Sequence, residues 1–374
     1  LAACSHFTCR QAGGRQRTWP GSPFSRAVAM TKVLRSGPIR IVGAGVAGLC
    51  LASELVRRGQ PVELHDYQDT PGPHACSWWA GGMLAPFCEG ETAEEPVVRF
   101  GCEAAGWWQQ NGVEISKQGS LVLALGRDQK ELDRFACRTL QHQPADATMI
   151  AQLEPALANR HRRGLFFETE AHLTPRDALA KLRENLAQQG VNITRVQPAD
   201  TAPNVDQQQR HKPAGMTIDC RGLAAADQLH DLRGVKGEML VLRCPDITLN
   251  RPIRLLHPRF PIYIVPRGDG VFMLGATQIE SADRGRVTAR SVMELLNAAY
   301  ALHPTFGEAE IVEIGVDARP AFADNLPRIR RRGQTVYVNG LFRHGFLLAP
   351  AVARMTADYI LQNQRPEIMD EDHH

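Results

Sequence analysis

The chain has 374 residues, too many for one small core and enough for two domains or for one domain with a large insertion. Its 43 basic and 40 acidic side chains leave a net charge of only +3, a field too weak for a polyanion binder, so no nucleic-acid partner is expected. No apolar run approaches the roughly 20 residues that span a bilayer, which excludes a helical membrane anchor. The 9 cysteines show no Cys-x-x-Cys spacing, which argues against a zinc site or a disulfide framework and for a reducing, cytoplasmic compartment.

Residues 1–37 are read as an N-terminal extension outside the fold, expected to be disordered. Arg10, Arg15, Arg17 and Arg26 with no acid nearby resemble an organellar transit peptide; the plainer reading is an upstream stretch before a start at Met30. Ile39-Arg40-Ile41-Val42 reads as a strand between Pro38 and Gly43. Leu49, Leu51, Leu55 and Val56 fall at helical spacing until Gly59, and Val62 to Asp66 is a second strand, completing a β-α-β unit. Residues 67–90 are loop-like, 97–110 helical with Trp107 and Trp108, 119–125 a strand, and 131–140 a helix. Thr174 and Pro175 open a helix whose apolar face is Ala178, Leu179, Leu182 and Leu186. Strands follow at 191–196 and 216–220, around a polar surface loop at 197–215. The segments 239–242, 262–265 and 271–274 form a β-meander. Ser291 with Glu294 reads as a capping box opening a helix to Leu302. Strands at 311–316 and 335–338 precede a last helix from Pro350 to Leu361. This pattern predicts an α/β fold of α+β two-domain type. A discontinuous Rossmann-type nucleotide-binding domain takes 38–90, 150–225 and 315–365, an antiparallel-sheet substrate domain takes 91–149 and 226–314, and 366–374 is a tail.

Gly43-Ala44-Gly45-Val46-Ala47-Gly48 carries Gly-x-Gly-x-x-Gly between strand and helix. Gly43 permits the tight turn, Gly45 the approach of a pyrophosphate, and Gly48 close packing of helix on strand. The helix amino end offers free N–H groups and the positive end of its dipole to the phosphates. Asp66 ends the second strand, where a carboxylate accepts from ribose hydroxyls. A structural glycine turn alone leaves Asp66 unexplained, so dinucleotide binding is the expectation.

Four further segments carry a family resemblance: Cys76-Ser77-Trp78-Trp79-Ala80-Gly81-Gly82-Met83-Leu84-Ala85-Pro86; Tyr263-Ile264-Val265-Pro266-Arg267 with Gly275-Ala276-Thr277; Ala318-Arg319-Pro320 with Asp324-Asn325-Leu326-Pro327; and the run from Gly340 to Pro350. In combination, over 38 to about 362, they resemble the glycine oxidases of thiamine biosynthesis, in the D-amino-acid oxidase and sarcosine oxidase superfamily of flavoproteins. The resemblance implies that the nucleotide is FAD, held without a covalent bond because no cysteine follows Arg319 as far as Leu326. It makes Arg319 the carboxylate-binding arginine and Tyr263 the tyrosine that helps hold that carboxylate, a role suited to a planar two-pronged donor. Arg343 lies where the family places an arginine near the flavin; bracing of its loop is an equal reading. Gln278 and Arg343 are also assigned to the substrate site, Gln278 at a position that is often apolar in these oxidases, which alters the expected shape of the small-side-chain pocket. Ser77 is assigned to FAD phosphate, Gly82 and Met83 to the isoalloxazine, Val196 to adenine, and Arg343, His344, Gly345, Phe346 and Leu347 to the flavin segment. Gly345 and Phe346 are placed ahead of the last helix, with N–H groups toward the flavin N1 and O2.

The implied reaction is oxidative deamination of a small amino acid, glycine above all. Its neutral amine gives up hydride from carbon to flavin, dioxygen yields hydrogen peroxide, and the imine becomes glyoxylate and ammonia or serves thiazole synthesis. No side-chain base and no metal are needed. A sibling oxidase acting on sarcosine, proline or a D-amino acid, an FAD dehydrogenase with another electron acceptor, and a non-catalytic FAD-bound assembly protein stay open. The resemblance also allows a homo-oligomer.

Overall fold

The computed structural model describes residues 37–197 and 215–370. The expectations for the extension before residue 37, and for most of the polar loop at 197–215, fall outside those residues.

Two large sheets organise the fold. The first runs in the order Arg328–Arg332, Thr335–Asn339, Thr217–Asp219, Ile39–Val42, Val62–Asp66, Ile193–Arg195. All its pairings are parallel except the hairpin of Arg328–Arg332 with Thr335–Asn339. Parallel strands need helices on their faces. Val46–Arg57, Pro175–Gln188 and Gly345–Gln362 supply them, and Ile39, Ile41, Leu49, Leu182, Ile218 and Leu348 share the resulting core. The segment after Pro366 is less free than a tail. The Ile329 N–H donates to the Ile368 carbonyl, and Asp370 binds Arg328 and Arg330.

The second sheet has nine strands and is mostly antiparallel, with Ile253–Leu256 and Ser120–Ala124 paired in parallel. Arg233–Arg243 is its spine, flanked by Val271–Gly275 on one side and the 12-residue strand Glu310–Ala321 on the other. The predicted boundaries at 150 and 315 cut across it. Arg163–Phe167 and the second half of Glu310–Ala321 both pair inside this sheet.

Several elements differ from expectation for local reasons. The 97–110 helix is two, Glu95–Gly101 and Ala104–Gln110. The helix to Leu302 starts at Ala289, and its cap is Thr288, whose Oγ1 accepts from the Ser291 N–H at 3.2 Å, so Ser291 is inside the helix rather than capping it. Thr174 stands at an N-cap but makes no side-chain cap bond, leaving Pro175 to set the start. The strand expected at 311–316 continues through Pro320, which a sheet edge tolerates. The last helix begins at Gly345, five residues before the predicted Pro350, so Gly345 and Phe346 form its first turn. Proline lacks the N–H that would reach the Phe346 carbonyl one turn back. The indole of Trp108 donates to that carbonyl instead, at 2.9 Å. The helix therefore runs through Pro350 with its freed acceptor satisfied.

Candidate active site

A cavity of about 1430 Å3 lies along the carboxyl ends of the parallel strands and across the second sheet. That volume exceeds a usual small-molecule pocket of roughly 300–1000 Å3 and suits a dinucleotide with a substrate beside it. Gly43, Gly45, Val46, Ala47, Asp66 and Ser77 line one end. Gly43 has φ +103°, and a Cβ there would stand 2.5 Å from the Cys220 carbonyl oxygen. A side chain at Gly48 would collide with the Gly43 carbonyl, which is why helix and turn close so tightly. The Ser77 hydroxyl accepts from the Val46 N–H at 3.1 Å, holding a polar atom over the helix amino end. Asp66 Oδ2 accepts from the Ala44 N–H at 2.5 Å. Ala44, Gly48 and Val196 are not on the cavity wall. Val196 donates its N–H to the Asp66 carbonyl at 2.8 Å.

The middle of the cavity is walled by Gly82, Met83, His344, Gly345, Phe346 and Leu347. Gly82, at φ +73°, leaves no room for a side chain beside Leu173 and Pro175. A Cβ at Gly345 would meet Val46 Cγ1 at 3.3 Å. Two helix amino ends, at Val46 and Gly345, therefore converge on the cavity and direct positive dipole ends into it. Such a cradle fits a group with a pyrophosphate and an anion-accepting ring, the demands of FAD.

At the far end, Arg319 and Tyr263 meet. Arg319 is half-buried at the cavity wall, its pKa lowered by desolvation of the guanidinium, and its Nη1 donates to the Thr277 carbonyl at 3.2 Å. Among the described residues no carboxylate lies within ion-pair distance of it. A desolvated cation without an anion is costly, so the arrangement calls for an anionic ligand. Tyr263 lies between two glycines. A Cβ on Gly275 would stand 2.5 Å from its hydroxyl, and one on Gly81 would stand 3.0 Å from its ring. Burial raises the phenol above its ordinary pKa against the pull of Arg319, so it remains a neutral donor. Gln278 is exposed on the cavity rim. Arg343 reaches the wall but is engaged, pairing with Glu89 at 2.8 Å and donating to Thr92 Oγ1 at 2.5 Å. The described residues contain no group of three or more His, Cys, Asp or Glu placed to hold a metal ion.

Three residues unremarked in the sequence, Gly237, Glu238 and Glu89, shape this end together with Arg267 from one of the resembling segments. Gly237 lies under the Arg319 guanidinium, and any side chain there would displace it. Glu238 Oε2 accepts from Thr277 Oγ1 at 3.0 Å and so fixes the carbonyl that holds Arg319. Arg267 donates to the carbonyls of Leu173 at 2.9 Å and Gly81 at 2.7 Å, pinning the flavin loop; burial pulls its pKa down to about 10. Glu89 gathers two arginines and a histidine. For Gly237→Ala we expect flavin binding to persist while KM for the amino acid rises about tenfold or more, since the displaced guanidinium loses a charge-assisted bond of roughly 1.5–3 kcal/mol. Steady-state kinetics of the yellow protein check this.

A cavity at the carboxyl ends of parallel strands, with two helix amino ends directed into it and a guanidinium without an acid partner at its far end, is the arrangement that a flavin-dependent oxidoreductase needs. The chain belongs to the FAD dependent oxidoreductase family (DAO), whose model matches residues 39–359. It is 51% identical over 331 residues to a Rhizobium etli protein named as a thiamine biosynthesis oxidoreductase, ThiO, covering 88% of this chain and 98% of that one. A glycine oxidase of Geobacillus kaustophilus is 25% identical over 86% of this chain and 92% of its own. The crystal structure of glycine oxidase from that organism shares the fold, with TM-score 0.72 and 21% identity over 88% of this chain and 95% of that chain. Among the described residues no helix is long and apolar enough to cross a membrane.

Proposed function

We propose that this chain is an FAD-dependent amino-acid oxidase that deaminates glycine, with dioxygen as electron acceptor, and supplies the product for thiazole synthesis in thiamine formation. The observation that carries this reading is the desolvated, acid-free guanidinium of Arg319 beside the neutral hydroxyl of Tyr263 at the end of a flavin seat. The similarity to the relative named for thiamine biosynthesis supports the pathway. The free state of Cys50, Cys76, Cys88, Cys102, Cys137, Cys220 and Cys244 supports a cytoplasmic location.

FAD would be held by the Val46 and Gly345 helix ends, Ser77, Asp66 and the turn around Gly82. The chemistry it supplies when bound is two-electron oxidation of the carbon–nitrogen bond, with the electrons passed on to dioxygen. The chain's own part is alignment. Arg319 takes both oxygens of the carboxylate, Tyr263 donates to one of them, and Gly237 and Glu238 keep the arginine in place. Fixing the carboxylate at two points orients the α-carbon, the larger share of what a side chain contributes when no base is required.

Purified protein should be yellow. Glycine added without oxygen should bleach the flavin absorbance, and air should restore it with release of peroxide. A colourless protein, or bleaching by sarcosine or D-alanine but not by glycine, overturns the reading.

A further inference from the structure

Glu89 ends the single-turn helix Pro86–Glu89 and is buried at the cavity wall. Its Oε1 accepts from Arg254 Nη2 at 2.5 Å. Its Oε2 takes Arg343 Nη2 at 2.8 Å and His344 Nε2 at 2.9 Å. Burial alone would raise this carboxyl's pKa, but Arg343, Arg254 and His344 outweigh it and hold the group well below its usual value. Burial also keeps His344 on the neutral side, so its Nε2–H is assigned as donor to Glu89.

One carboxylate thus spans three elements: its own short helix, the strand Ile253–Leu256 that carries Arg254, and the segment leading into the last helix. Arg343 belongs to the same electrostatic neighbourhood as the substrate arginine, since its charge lowers the pKa of Arg319. Both side chains line the cavity. They differ in their partners. Arg319 has a carbonyl and no acid, whereas Arg343 is turned onto Glu89 and Thr92.

We propose that Glu89 is a specificity-determining positioning residue: by holding Arg343, it keeps that guanidinium from reading a second carboxylate beside Arg319, so the site accepts amines bearing one carboxylate and discriminates against those bearing two. This rests on the reading of the cavity as an amino-acid oxidase site. Glu89 touches neither substrate nor flavin in this account. It acts through Arg343, and its removal should add a recognition element rather than only subtract one. A purely structural acid would give no such gain.

The test uses flavin-loaded protein and two probes that do not react, acetate and malonate, at about pH 8, where carboxylic acids are ionised. Binding is read from the perturbation of the flavin absorbance. Wild type should bind malonate no more tightly than acetate. In Glu89→Gln, malonate should tighten about tenfold or more while acetate moves by less than about threefold, because a charge-assisted bidentate contact is worth that much. The double variant Glu89→Gln with Arg343→Met should lose the gain. An unchanged or weakened malonate affinity in Glu89→Gln, or a gain that survives without Arg343, overturns the proposal. If Glu89→Gln does not hold its flavin, Arg343→Met alone decides. An unchanged malonate-to-acetate ratio supports the proposal, and a ratio that falls shows that Arg343 already reads a second carboxylate and overturns it. Failure of glycine to bleach wild type would sink the oxidase reading instead, whereas bleaching by glycine with no gain in Glu89→Gln removes only the role of Glu89.

Discussion

Replacing Arg319 with methionine should lower kcat/KM for glycine by about two to four orders of magnitude while the protein stays yellow and its melting temperature holds or rises. Glycine offers little besides a carboxylate and an amine, so the guanidinium supplies most of what fixes it. Losing one side of a buried charge pair costs roughly 3–5 kcal/mol, and each 1.36 kcal/mol of barrier is about tenfold in rate. The stability arm has the opposite sign because Arg319 is a desolvated cation that, among the described residues, hydrogen-bonds the Thr277 carbonyl and has no acid within ion-pair distance. Methionine keeps the stem and removes the desolvation cost. Lysine should not rescue, since a point charge cannot take two oxygens in one plane. A methionine variant within tenfold of wild type for glycine would show that the carboxylate is held elsewhere.

The second large effect is expected at Gly48. Gly48→Ala should give a colourless, less stable protein, because its Cβ would overlap the Gly43 carbonyl oxygen. The helix must then lift from the turn that frames the pyrophosphate, and overpacking of this kind costs about 1–3 kcal/mol before any loss of ligand. Gly106→Ala is the matched control. Gly106 lies in the helix Ala104–Gln110 with nothing within 4 Å of an added Cβ. There the change should retain the flavin and stabilise by about 0.5–1 kcal/mol. The visible spectrum and thermal melting of the two variants separate the cases, and a yellow Gly48→Ala would refute the steric argument.

The nucleotide end of the cavity was readable in the sequence because its chemistry is local. Gly43 and Gly45 lie in one turn, Gly48 in the first turn of the helix that follows, and Asp66 at the end of the adjoining strand, so periodicity and spacing carry them. Arg319 and Tyr263 were legible only through their resemblance to a family, since a lone arginine or strand tyrosine has no periodic signature. Glu89 had no signal at all. Its partners, Arg254, Arg343 and His344, are brought to it by tertiary packing. Gly237 is equally silent, because its lack of a side chain has meaning only once Glu310–Ala321 pairs beside it in register. Element ends were misread where a single residue type dominated the reading. Pro350 reads as a helix start in the sequence, but the helix runs through it, because the donor that replaces the proline's missing N–H lies far away in sequence.

That donor is Trp108, and it changes where a working fragment can be cut. A deletion of residues 91–149 would keep the glycine turn, Asp66, the loop through Gly82 and the C-terminal helix, every recognisable mark of nucleotide binding in the chain. It would also discard the indole that sustains the opening turn of the C-terminal helix and the ring that stacks on Phe346 at 5.5 Å. The orphaned acceptor would then sit in a helix turn that lines the cavity, and water would enter to satisfy it. Trp108, on a helix with no nucleotide motif, thus supports a helix end that opens on the cavity, and the segments of this enzyme are not interchangeable modules.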